Sequence, residues 1–512
     1  MAFREIQRSS AALLASILAV AAGARVLFLG NALLWTDEAY SVHLAHLEFG
    51  RLLEKLLSES TPPLYYMLLR LWILAFGDGE AAVRALSVVF GLGAIAGVYL
   101  VARRFLSSRA AAVAAFLLAL APIHIAHSQQ ARMYALLSLL AVGLAGFGLG
   151  FSRTRATRDL VGFALCSLLL LLTHNVSLWI VIGFTLAVAW ETGQARAVVA
   201  LATAQTLTLL AYLPWLAVVV HQVGREATVL DWFLPHWHAK SPLLHLADTL
   251  WSFSFGPFPY LLPALSSPVA ESWLVRGALL AVLAAGVVRA FHEPTVRLLV
   301  VASAITLACA LTYSSLAQPV YIPGRTDHYL LPVFVWILGV GLVTPRLRAA
   351  TWLGLVAYGI LALSVLAPYY AHPSRDSSRR FLEEIRTRSS PGDIVVTTGL
   401  TFAEAEHGLR GLPVRLEPYP RSAREHPGYL SWAEILSDPG RLADDAREIA
   451  RTAARLPPAN RVFVILVPHA AQGPLVTELP RVLDLDPDSG EVFSQSVIGT
   501  SVRLFVWKPH PR

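Results

Sequence analysis

Five short polar segments carry the residue types that could do chemistry. Trp35-Thr36-Asp37-Glu38-Ala39-Tyr40 sets two adjacent carboxylates just after an apolar run. A carboxylate at a membrane boundary is costly unless it has a partner or a task. Asp37, with Glu38 beside it, has the chemistry of a general base that takes a proton from an acceptor hydroxyl. The structural alternative is an N-cap or a solvated charge. Thr61-Pro62-Pro63-Leu64-Tyr65-Tyr66 offers two phenols, and Thr173-His174-Asn175 an imidazole. The segment 127–134 holds Gln129, Arg132 and Tyr134, and the segment 323–329 holds Arg325, Asp327 and His328. Guanidinium binds phosphate through two parallel hydrogen bonds. Arg132 and Arg325 therefore read as phosphate anchors. For Arg132 the alternative is snorkelling to the interface, and for Arg325 Asp327 is a candidate partner.

These segments must be positioned by membrane helices. Only 15% of the 512 residues are charged, against about 25% in a soluble domain, and the mean hydropathy is +0.57. The stretch 371–512 carries 18 basic and 18 acidic residues, so the net charge of +7 lies in the first 370 residues. A cytosolic enzyme, a disordered chain and a nucleic-acid binder with a solvated basic patch are excluded.

Apolar stretches long enough for spans occur at 10–30, 81–101, 110–126, 131–150, 160–173, 175–190, 197–219, 272–289, 295–313, 329–343 and 349–366. The pair 160–173 and 175–190 is alternatively one helix broken at His174-Asn175. The segment 61–77, with two prolines, Arg70 and Trp72, reads as an interfacial helix. The first span is read as uncleaved, because its apolar run continues past Ala22-Gly23-Ala24. With a cytoplasmic N-terminus, every inner loop is basic, from Arg103, Arg104 and Arg109 through Arg153, Arg155 and Arg158 to Arg346 and Arg348. An odd number of spans then places the C-terminal part outside.

In that topology the five polar segments and the long loop 220–271 all fall on the outer face. A transporter places polar groups near the midplane, often in paired halves, and neither half repeats here. A transporter or flippase of lipid-linked sugars remains the rival to an enzyme. Cys166 and Cys309 sit in apolar runs and read as buried hydrophobes. His124, His127, His174, His236 and His238 show no spacing typical of a metal site, so a divalent metal is not indicated.

In order along the chain, WTDEAYSVHLA, TPPLYYMLLRLW, HSQQARMYALLSLLAV, THN and GRTDHYLLPV resemble bacterial family-39-like glycosyltransferases. These are relatives of the protein O-mannosyltransferases and of the lipid A aminoarabinose transferase. The resemblance spans residues 10–370. It implies a GT-C fold with about 11–13 transmembrane helices, and an inner-membrane enzyme that moves a hexosyl or pentosyl unit from a polyprenyl phosphate with inversion. It implies a catalytic role for Asp37 with Glu38, a donor-side role for Arg132, and a cavity lined by Tyr65 and Tyr66. Gln129, Tyr134, His174, Asp327 and His328 are expected in the same cavity, and no cofactor is required. Two positions depart from the pattern. Gln130 stands where a glutamate is usual, and His328 where an arginine precedes Tyr-Leu-Leu-Pro. Arg325 is positioned to compensate. The acceptor, whether glycan, lipid or protein, is not legible.

Residues 1–370 thus form a transmembrane catalytic domain and 371–512 an extracytoplasmic α/β domain. Alternating patterns predict strands at 393–397, 461–467 and 501–507, and helices at 381–388 and partly at 433–454.

Overall fold

The computed structural model describes residues 2–58, 61–222, 233–255, 267–269, 272–343, 348–371, 378–398, 401–424, 438–466, 473–483, 491–497 and 500–507. Helix α1 (Ala2–Val26) leads into a loop with three short helices, α2 (Thr36–His46), α3 (Phe49–Ser58) and α4 (Leu64–Phe76). Helix α4 is the segment expected to lie in the interface. It starts after Pro62-Pro63, since the residue before a proline avoids helical geometry. Arg70, on α4, donates to the Ala45 carbonyl at 3.1 Å and to that of Leu47, tying α4 to the end of α2.

The remaining apolar stretches form α5 (Glu80–Phe105), α6 (Ser108–Leu120), α7 (Pro122–Ser128), α8 (Tyr134–Thr154), α9 (Thr157–Leu171), α10 (Ser177–Thr192) and α11 (Ala195–Gln222). After them come α12 (Leu234–His238), α13 (Pro242–Ser254), α14 (Trp273–Val288), α15 (Pro294–Leu316), α16 (Leu331–Leu342) and α17 (Arg348–Ala371). A helix thus occupies each of the eleven expected positions, and α9 and α10 are separate helices. Among the described residues, six of these helices are long and apolar enough to cross a membrane unaided, or seven if α6 and α7 count as one bent span. The apolar part of α1, Ser10–Val26, and the helices α10 and α16 are shorter. Much of the expected outer loop 220–271, and Arg346, lie outside the described residues.

The bend of 62° between α6 and α7 follows from Pro122, which has no N–H for the carbonyl of Leu118. Arg25, fully buried at the end of α1, supplies the missing donors. It bonds the carbonyls of Leu118 and Ala119 at 3.3 and 2.9 Å, and His124 Nδ1 at 2.7 Å. Helix α16 is buried along nearly its whole length, with Trp336 Nε1 donating to the Val98 carbonyl at 2.9 Å. Helices α10 and α15 pack closely because Gly183 has no Cβ: one would lie 2.1 Å from Thr306 Oγ1. Leu207, Leu210, Trp273, Leu274, Trp352 and Leu353 project outward from α11, α14 and α17, as lipid-facing side chains must.

After α17, helix α18 (Ser378–Arg388) opens a small α/β unit. Its strands are β1 (Ile394–Thr398), β2 (Arg415–Tyr419), β3 (Val462–Leu466), β4 (Glu491–Val497) and β5 (Thr500–Trp507), in the sheet order β2-β1-β3-β5-β4. Strands β1, β2 and β3 are parallel, with Ile394 opposite both Arg415 and Val462, and β5 runs antiparallel to β3 and β4. The expected strands are present as β1, β3 and β5. Strand β2 contains Pro418, which a sheet tolerates at its edge, and that proline hides it from pattern reading.

Helix α19 (Thr401–Gly408) docks this unit onto α2. Thr36 Oγ1 donates to Glu404, His43 Nδ1 bonds Glu406 at 2.6 Å, and His46 Nε2 bonds Asp78 at 3.0 Å. Arg410 also pairs with Asp78. Burial opposes ionisation of Glu406, but the hydrogen bond and charge of His43 outweigh it and hold the carboxyl below the usual carboxylate range. At Asp78 burial is likewise outweighed, by Arg410. At His46 burial dominates over Asp78 and lowers the imidazole pKa. Each of these depressed values means that the unfolded chain binds protons more readily, so stability rises with pH. The junction is therefore expected to weaken on acidification from about pH 6.5, where unfolded histidine titrates, to below about pH 4. A thermal-unfolding series against pH checks this, and Glu406→Gln should flatten its acid limb.

Candidate functional site

Helix α2 delivers Asp37 and Glu38 in its first turn, where the helix dipole favours carboxylates. Glu38 is buried, and its oxygens are occupied. Arg84, on α5, donates to Oε1 from Nε at 2.9 Å and to Oε2 from Nη2 at 2.7 Å. The Ala131 amide donates to Oε1 at 2.8 Å and the Trp35 amide to Oε2 at 3.4 Å. The same guanidinium reaches the carbonyls of Leu29, Ala32 and Leu33. Glu38 and Arg84 thus bind the loop after α1, α2, α5 and the segment before α8 into one piece.

Asp37 faces the other way. Its Oδ2 lies 2.8 Å from Arg325 Nη2 and 3.8 Å from Arg132 Nη2. Arg325 Nε donates to the Tyr134 hydroxyl at 2.6 Å. Arg132 Nη1 is within 3.0 Å of Ser41 Oγ, 3.3 Å of the Asp37 carbonyl and 3.4 Å of the Tyr66 hydroxyl. The side chains of Asp37, Arg132 and Arg325 are 13%, 10% and 16% exposed, so they are largely desolvated yet still reach the surface. Arg132 Nε is buried there with no acceptor. Tyr65 packs edge-on against Tyr66, its hydroxyl 3.4 Å from Ser87 Oγ. His174, in the turn between α9 and α10, lies in the field of both arginines. Three loops far apart in sequence therefore meet at Asp37, Arg132, Arg325, Tyr66 and Tyr134.

Three expected cavity residues go elsewhere. The Gln129 amide is consumed behind the site: Nε2 donates to the carbonyls of Arg25 and Leu27 at 2.9 and 3.0 Å, and Oε1 accepts from Tyr369 at 2.8 Å. Asp327 accepts from Thr249 Oγ1 at 2.5 Å and does not pair with Arg325. Each is engaged elsewhere, Arg325 by Asp37 and Asp327 by Thr249. His328 is buried against His127 and His124, with ring centroids 4.4 and 5.8 Å away. His127 is itself tied to the Gly324 carbonyl at 3.0 Å. Among the described residues, no three His, Cys, Asp or Glu side chains are grouped to hold a metal ion.

Sequence reading missed Arg84 and Arg25. Both lie within apolar helices, where an arginine requires buried partners, and that rule could have flagged them.

Residues 60–237 match the family model of the dolichyl-phosphate-mannose-protein mannosyltransferases. No curated protein matches the chain in sequence. Among solved structures, ArnT from Cupriavidus metallidurans bound to undecaprenyl phosphate is similar, at 15% identity and a TM-score of 0.58 over 96% of this chain and 97% of that one. Its apo state gives the same identity and TM-score over 98% of both chains. An Archaeoglobus fulgidus oligosaccharyltransferase tethered to an acceptor peptide is a looser likeness, at 13% identity and a TM-score of 0.49 over 96% of this chain and 74% of that one. The chain is a multi-pass membrane protein with the fold of the GT-C glycosyltransferases, akin over residues 60–237 to the mannosyltransferases of that fold.

Proposed function

We propose that this protein transfers a sugar, with inversion, from a polyprenyl phosphate to an acceptor on the extracytoplasmic face of the inner membrane. The observation that carries this reading is the partly buried cluster in which Asp37 lies between Arg325 and Arg132. The undecaprenyl phosphate bound to the structurally similar ArnT supports a lipid-phosphate donor. The basic inner loops support a cytoplasmic N-terminus and an extracytoplasmic α/β unit.

In the resting site Arg325 is held by Asp37. An arriving donor phosphate competes for both guanidinia, including the Arg132 Nε that has no acceptor, and frees the Asp37 carboxylate. The acceptor hydroxyl then attacks the anomeric carbon from the face opposite the phosphate. Its proton passes to Asp37, the anomeric C–O bond breaks, and the lipid phosphate leaves against the two arginines. Charge developing on the leaving group is met by fixed cations in a dry site, where they act most strongly. Glu38, tied on both oxygens, holds α2 in place.

Purified protein incubated with a panel of polyprenyl-phosphate sugars is expected to release lipid phosphate from the matching donor. Movement of donor across proteoliposomes without release would replace this reading with transport. Arg325→Gln should slow release by about 10²-fold, the usual cost of losing one charge-stabilising donor. Arg325→Lys should recover only part of that, since a point charge lacks the paired donors.

A further inference from the structure

Helix α2 carries Asp37, and the faces of its first turns meet different parts of the chain. Successive helical residues point about 100° apart, so Thr36, Asp37 and Glu38 face three ways. Glu38 is locked to Arg84, and Asp37 meets Arg325. Thr36 Oγ1 donates to Glu404 of α19, a buried residue. His43 lies two turns beyond Thr36 and so on the same face. It bonds Glu406 of α19 at 2.6 Å and meets the Phe402 ring edge-on.

Apolar contacts also join the two parts. Ala403 belongs to the core of the membrane helices, and Leu33, just before α2, packs against the α/β cluster that includes Phe381 and Ile385. Hydrophobic burial is non-directional, so these contacts attach the unit without fixing the rotation of α2. A buried carboxylate is costly unless it is hydrogen-bonded, and an apolar residue at 404 would dock as well. The carboxylates of α19 supply what the apolar contacts lack, a set angle. We infer that Glu404 and Glu406 are positioning residues, which hold the rotation of α2 and so aim the Asp37 carboxylate. The consequence for transfer rests on the function proposed above; the anchoring of α2 does not.

The test uses the full-length protein in detergent. Hydrogen exchange reads the anchoring without substrate: Glu404→Ala should speed exchange in the segment 36–43 by about ten-fold, the value of one charge-assisted hydrogen bond. Glu404→Gln, which keeps an acceptor for Thr36, should restore most of the protection. In single-turnover release of lipid phosphate from the polyprenyl-phosphate sugar that the parent uses, Glu404→Ala and Thr36→Val should each slow the reaction by about 10²-fold, the cost of misplacing a catalytic group by about 1 Å. The donor concentration for half-maximal rate should stay the same, because Arg132 and Arg325 are carried by other elements. The double variant should be no slower than either single, since both remove one contact. Arg410→Gln, which loosens docking at Asp78, should lower the unfolding temperature and leave release unchanged. Unchanged exchange, additive losses, a raised donor requirement or equal slowing by Arg410→Gln would overturn the inference. If Glu404→Ala does not fold, Thr36→Val carries the same test, since valine has nearly the shape of threonine. A parent that releases lipid phosphate, with variants that release it as fast, loses only this inference. A parent that releases none while the exchange effect stands loses only the transfer reading.

Discussion

Asp37→Asn is expected to lower sugar transfer by about 10³-fold, within the range for loss of a general base, while the protein folds normally. Asparagine has the shape of aspartate and keeps an oxygen for Arg325, but it cannot take the acceptor proton. Stability should change little, because Asp37 is partly open and the buried carboxylate that joins the elements is Glu38. Donor should still bind, since the substitution removes the anion that competes with phosphate for Arg325. The decisive measurement is single-turnover release of lipid phosphate by protein whose elution profile and unfolding temperature match the parent. Undiminished turnover would remove Asp37 as the base.

Arg84→Met should have the largest effect on stability, a loss of about 3–5 kcal/mol. Glu38 has 1% of its side chain exposed and Arg84 6%, so removing the guanidinium strands a carboxylate with no water to receive it. The carbonyls of Leu29, Ala32 and Leu33 lose their donor at the same time. The single variant is expected to be recovered poorly as folded protein. Combining Glu38→Leu with Arg84→Met should restore part of the yield, because replacing both partners of a buried pair by apolar groups costs far less than breaking it. A double variant no better than the single would mean that the carbonyl contacts, and not the ion pair, dominate.

These two predictions separate neighbours that look alike in sequence. The pair Asp37-Glu38 was legible as a candidate feature, since two carboxylates at a membrane boundary need an explanation. Which of them meets Arg132 and Arg325 was not, because the partners that occupy Glu38 lie 46 and 93 residues away. Arg132 and Arg325 were legible for the same reason as Asp37. That Arg325 pairs with Asp37 and not with Asp327 depends on a contact across 288 residues. Gln129 sits in the same polar run as Arg132, yet its amide fastens α1 to α17.

By itself the sequence determined the class of molecule: the membrane helices, the start of α4 after its two prolines, the α/β part and the polar segments of the candidate site. These follow from apolar length, proline placement and alternation, all of which act over a few residues. The tertiary structure decided which polar side chains converge, which are consumed in bracing the helices, and how α19 reaches α2. Those outcomes rest on desolvation: in a dry interior each charge must find a partner, and only the packed chain determines which partner is near. The excess of arginine in the first 370 residues is therefore heterogeneous. Arg25 and Arg84 hold the fold from inside it, while Arg132 and Arg325 flank Asp37.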